Sequence, residues 1–257
     1  MAEVIRKSKG RRVPPAGSEI PPFCPSALQS FDWVVGLLQA GDSFYPTGSY
    51  AHSFGLEGLV QAGVVHDRAT LQQFFRLSTL PALRQAELPL AAHAWRALGD
   101  GDWGRVGELS RLSSALKTAR EARLAADNIG RQRTEMMAAM RQHPLAIEFV
   151  RRATAGSWPY SPAVAAALEG RVLGAPLSAV LAGVYYATVA SLLSAAMKLL
   201  RLGQNASQSL LTEMLAEAPG VIAAAEAVPC EDIGWFNPWL DIAAARHETA
   251  DSRMFIS

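Results

Sequence analysis

The sequence predicts an all-α protein, a single-domain helical bundle of about ten helices around a central apolar helix. Three observations predict it. Residues 177–202, LSAVLAGVYYATVASLLSAAMKLLRL, carry no charge before Lys198. Apolar positions recur at the 3.6-residue period through most of the remaining chain, with Ser, Asp, Pro and Gly where helices start and stop. No segment alternates apolar and polar residues at the strand period of two.

The apolar stretch would form a helix about 39 Å long at roughly 1.5 Å per residue. Pro176 precedes it, where a missing N–H costs nothing, and Gly203 follows it, where a left-handed residue commonly ends a helix. A helix apolar on every side is expected to be buried. Its length alone would also suit a membrane span. Its content of Ala, Ser, Thr and Gly, and the position of Tyr185 and Tyr186 near its middle, favour the core of a soluble bundle.

The other elements follow in order. Residues 1–29 read as a disordered tail, basic at Arg6, Lys7, Lys9, Arg11 and Arg12, then rich in proline. Residues 30–257 read as the helical domain. Ser30 is placed to cap a helix over 31–39. Pro46 and Gly48 mark a tight turn. A helix over 49–62 then aligns Tyr50, Phe54 and Glu57 on one stripe, so Glu57 needs a polar partner, and Ser53 lies one turn away. Asp67 caps the next helix, with a bend expected at Pro81. Residues 87–98 repeat the apolar period, and Gly99, Gly101 and Asp102 separate them from 103–112.

Ser113 or Ser114 is expected to open a long helix to Gln142. On it Lys117–Glu121, Arg123–Asp127 and Arg131–Glu135 fall at i, i+4, while Arg120, Arg133 and Arg141 have no local partner and read as a solvated basic face. His143-Pro144 breaks that helix and Ser161-Pro162 starts another. Beyond the central helix come a loop over 201–205, a helix over 208–218 stopped by Pro219-Gly220, and an Ala-rich helix over 221–228. The chain ends on Arg253, Met254, Phe255 and Ile256, apolar enough to dock on its own core or on a partner.

The chemistry is sparse. A net charge of +1 creates no overall field toward nucleic acid or anionic lipid. Cys24 and Cys230 are too few for a disulfide framework, which fits the reducing cytoplasm. No long apolar run opens the chain, so no secretory leader is expected. No Gly-rich phosphate loop is present. The histidines His52, His66, His93, His143 and His247 have no second His or Cys at ligand spacing and read as surface or capping residues. Gly41-Asp42-Ser43 resembles the opening of GDS-type serine hydrolases, the alternative reading. A Ser43 nucleophile would need a base within reach, and Asp241 lies six residues before His247 instead of at the D-x-x-H spacing. The residues therefore assign no catalytic group, no metal ligand and no cofactor site, and describe a protein that binds other proteins.

Five segments carry a resemblance. PTGSYAHSFGLE (46–57), AREARLAADNIGRQR (119–133), HPLAIEF (143–149), KLLRLGQNASQSLL (198–211) and PWLDIAAARHETADSRMFIS (238–257) occur in the order of the motifs of the UreF family of urease accessory proteins. The chain resembles that family from about residue 31 to its end. It departs at Lys198, Arg201, Ala206-Ser207, Ala119 and Ala122, and the first 29 residues have no counterpart. The resemblance implies an all-α, cytoplasmic homodimer that is not an enzyme and binds neither nucleic acid nor membrane. It implies assembly with UreD (also called UreH), the GTPase UreG and apo-urease, in a complex that handles nickel and modulates GTP hydrolysis by UreG. It also places an expected partner interface at Gly48, Ser53, Gly55, Glu57, Tyr186, Lys198, Gly203, Gln204, Gln208, Arg253, Phe255 and Ser257.

Overall fold

The computed structural model describes residues 31–42, 44–247 and 253–256. The tail expected over 1–29 and the cap at Ser30 lie outside the described residues. Ten helices and no strands occur among those described. Helix α1 is Asp32–Gly41 and α2 is Leu56–Gln61. Helix α3 covers residues 68–100, α4 is Trp103–Ala115 and α5 is Arg120–Arg141. Then follow α6 (Pro144–Ala155), α7 (Pro162–Leu173), α8 (Leu177–Leu199), α9 (Gln204–Glu226) and α10 (Pro238–His247).

The starts are those that side-chain chemistry predicts. Asp67 accepts from the Thr70 N–H while Thr70 returns a bond to the Asp67 N–H, a reciprocal cap on α3. Asp102 caps α4 and Ser161 caps α7, and His143 Nδ1 accepts from the Leu145 N–H at the start of α6.

Several boundaries differ from expectation, each for a local reason. The helix expected over 49–62 is two pieces, a 3₁₀ turn Ser49–Ala51 and α2. Phe54 (φ 51°) and Gly55 (φ 87°) between them are left-handed, which a continuous helix forbids. Helix α3 does more than bend at Pro81: it widens into π-helical turns at Phe75–Thr79 and Leu83–Glu87, just ahead of Pro81 and Pro89. A wider turn accommodates a ring that has no N–H to offer. Ser113 is buried inside α4, and α5 begins after Ala119. Gly203 has φ −72° and opens α9 in place of ending α8 in a left-handed turn. Pro219 lies inside α9, so one helix runs where two were expected.

The bundle has its axis one helix earlier than the apolar stretch. Helix α7 is buried from Ala163 through Gly170 and touches α1, α3, α4, α5, α6 and α8. Its Ala side chains let six neighbours approach closely, where Leu-sized residues would not fit. Helix α8 packs on α9, α3, α7 and α2, and Tyr185 at its middle is buried with its hydroxyl donated to the Met214 carbonyl. Burial raises that phenol to about 12. Only 44% of the most apolar window of α8 is enclosed. The open side runs through Ser178, Ala182, Tyr186, the half-buried Ala190, Ser194 and Met197, spaced three or four residues apart along one face.

Candidate functional site

The C-terminal segment folds back onto the helix that follows the PTG turn. Gly58 on α2 makes this approach close: a Cβ there would sit 2.8 Å from the Ala243 carbonyl oxygen of α10. Gly55 is left-handed, and its missing Cβ leaves room for Leu240. On α10, Leu240, Ala243 and His247 fall at i, i+3 and i+7, so His247 points inward with the apolar residues.

The result is a buried carboxylate that holds three donors. Glu57 is 3% exposed. One oxygen accepts the Met254 N–H (2.7 Å); the other accepts the Phe255 N–H (3.0 Å) and faces His247 Nε2 (2.9 Å). Ser53, expected to donate to Glu57, instead accepts the Glu57 backbone N–H (3.4 Å). Burial pushes the Glu57 carboxyl up, but the Met254 N–H, His247 and the Phe255 N–H together hold it below its ordinary value.

The network extends outward through the ring. His247 Nδ1 faces Glu121 of α5 at 3.0 Å, and Arg253 binds the other Glu121 oxygen at 2.8 Å. The Ile256 N–H reaches the Ala51 carbonyl (2.8 Å). Phe255 is buried, and Lys198 lies 5.2 Å from its ring centre. One clasp thus joins α2, α5, α8 and α10 to the chain's last described residues.

The residues of the expected interface divide into two groups. Ser53, Gly55, Glu57 and Phe255 are buried in the clasp, and Arg253 and Lys198 lie at its rim. Gly48 is left-handed at the half-buried turn. Gly203, Gln204 and Gln208 are exposed at the start of α9. Tyr186 is exposed on α8, twelve residues or about 18 Å before Lys198. Ser257 lies outside the described residues.

Sequence reasoning missed two members. Glu121 read as a local partner of Lys117, yet Lys117 binds Glu87 (3.0 Å). His247 read as a surface or capping residue, yet it is 2% exposed; its i, i+7 spacing from Leu240 was the signal. His52 is also buried, which lowers its pKa, while Glu121 opposes that. The basic face of α5 is likewise spoken for. Arg133 binds the buried Glu169 of α7 (2.6 Å), Arg141 binds Gln39, Arg123 donates to the carbonyls of Lys117 and Thr118, and Arg131 binds Asn128.

The two residues nearest the hydrolase pattern, Asp241 and His247, have other partners. His247 is engaged by two glutamates and Asp241 accepts from Thr118, while Ser43 lies outside the described residues. A separate apolar groove of about 570 Å³ runs between α3 and the chain before α10, and Leu77, Phe236 and Trp239 on its walls are exposed.

The UreF family profile matches residues 65–215, more than half of the chain. The chain belongs to the UreF family. The urease accessory protein UreF of Xanthobacter autotrophicus is 33% identical over 235 residues, 90% of this chain and 91% of that one. UreF of an Arthrobacter species is 31% identical over 88% of this chain and 97% of its own length. UreF of Yersinia pseudotuberculosis is 31% identical over 86% and 97%. The profile match includes Glu121 and Lys198 but neither Glu57 nor His247, so both ends of the clasp lie outside the matched UreF stretch.

Proposed function

We propose that this chain is a cytoplasmic, non-enzymatic co-chaperone of urease maturation that bridges UreD and UreG and modulates GTP-dependent delivery of nickel to apo-urease. The observation that carries the reading is the likeness, over about 90% of the chain, to relatives that are urease accessory proteins. Nickel is handled by the assembled complex, with this chain as a scaffold that binds no nucleic acid and no membrane. The surface supports this. The groove beside Trp239 and the open stripe of α8 around Tyr186 expose apolar area of the kind that marks protein interfaces. The α8 stripe suits a homodimer, because small side chains allow a second helix to approach.

The decisive test deletes the gene and assays urease activity in cells given excess Ni²⁺. Loss of activity, restored by the gene in trans, supports the reading; wild-type activity in the deletion strain overturns it. A finer test addresses the rim of the clasp. Arg253→Ala is expected to weaken recovery of UreD or UreG in pull-downs, with a stability change under about 1 kcal/mol because its partly exposed ion pair with Glu121 is screened by water. Undiminished recovery of both partners would remove Arg253 from the interface.

A further inference from the structure

We propose that residues 253–256 form a proton-gated latch, closed while the His247 ring carries both its protons and Glu57 is ionised, and open when either condition fails. The geometry assigns the role. Among the described residues the segment is held at five points: two N–H groups on Glu57, Arg253 on Glu121, the Ile256 N–H on Ala51, and the buried Phe255 ring. Three of the five end on the two carboxylates that a single imidazole joins. Each ring nitrogen faces a carboxylate oxygen, at 2.9 and 3.0 Å. An ionised carboxylate only accepts, so the ring bonds both only as an imidazolium.

In the closed state the charges of Glu57, Glu121, His247 and Arg253 cancel. Removal of the imidazolium proton leaves a net negative charge beside the buried Glu57–His247 pair, with one bare nitrogen facing an oxygen lone pair. Such a site relaxes by moving its least packed member. Helix α10 packs on both α2 and α5, whereas Arg253, Met254 and Ile256 are exposed. The segment is therefore what leaves. On the acid side the sign is opposite. The Glu57 carboxyl titrates below its ordinary value, so its grip persists above the ordinary carboxylate range and is lost only as pH falls through the lower, folded value.

Other charges border the site. His52 interacts with Glu121 and is disfavoured as a cation by burial. Lys198 of α8 lies over Phe255, Arg123 of α5 donates to backbone carbonyls, and Asp241 of α10 accepts from Thr118. Arg120 and Arg246 sit next to Glu121 and His247 in the chain.

The test follows amide exchange of Met254 and Phe255, together with the ¹⁵N shifts of the His247 ring, in the full chain from pH 5 to 9. Protection of both amides, corrected for intrinsic exchange, is expected to fall roughly tenfold in the same step in which the ring loses a proton. His247→Gln, which cannot change charge, is expected to show no step. A neutral ring at pH 6, protection that does not vary with pH, or a step that survives in His247→Gln would each overturn the proposal. The ring measurement uses the unaltered chain and stands even if the variant fails to fold.

Discussion

Glu57→Ala is expected to destabilise the protein by about 3–5 kcal/mol, among the largest effects of any single substitution in the fold. The variant leaves the part-buried Met254 N–H, the buried Phe255 N–H and the buried His247 Nε2 without an acceptor. It also frees the segment that buries Phe255. For a chain of this size the loss corresponds to a fall in melting temperature of roughly 10 °C. Glu57→Gln keeps an acceptor oxygen but not the charge, and should cost about 1–3 kcal/mol. The pH dependence gives the same group a second signature. Its folded pKa is depressed, so its contribution is present above the ordinary carboxylate value of 4.5 and disappears as pH falls through the folded one. Glu57→Ala should flatten that acid limb of the stability profile. A melting temperature within 2 °C of wild type would show that the clasp is not a stabilising element.

The need for a partner at Glu57 was legible in the sequence, because a carboxylate on an apolar stripe cannot be left bare. The partner was not, because His247 lies 190 residues away and only the fold brings it near. The same distinction separates what local chemistry decides from what it does not. Helix starts at Asp67 and Ser161 depend on one side chain and its own next turn, and they were readable; Asp102 read only as a separator and His143 only as a break, though each caps a helix in the same way. Salt bridges were read by the local i, i+4 rule, which is worth only a few tenths of a kcal/mol. Tertiary partners outbid it: Lys117 chose Glu87, and Glu121 chose His247 and Arg253.

Hydrophobicity located the bundle but not its axis. Residues 177–199 have the highest apolar density, yet α7 is more completely enclosed, because occupancy of the centre is decided by side-chain size. Its sequence, PAVAAALEGRVL, contains a glutamate, which argues against burial until a partner is known. Proline was similarly ambiguous. Pro219 was read as a stop and Pro81 as a bend, whereas neighbouring turns kept both inside continuous helices.

That buried glutamate is the basis of the second large effect. Glu169→Ala is expected to cost about 3–5 kcal/mol, measured by urea or thermal unfolding. Glu169 is 4% exposed at the centre of α7. Arg133 places two guanidinium nitrogens on one of its oxygens, Nε at 2.7 Å and a terminal nitrogen at 2.6 Å, and the Tyr45 hydroxyl donates to the other at 3.3 Å. Burial, with the Glu169 charge beside it, raises the Tyr45 phenol to about 12, so it remains a donor wherever the protein is folded near neutral pH. Loss of the carboxylate strands a mostly buried guanidinium, which is far more costly than loss of the pair as a unit. Arg133→Met combined with Glu169→Met should therefore recover most of the stability lost by Glu169→Ala. Tyr45 also ties the turn before Gly48 to the core through Glu169, so faster amide exchange over residues 44–48 should accompany the single variant. Equal losses in the single and double variants would mean that packing around α7, not the uncompensated charge, determines the cost.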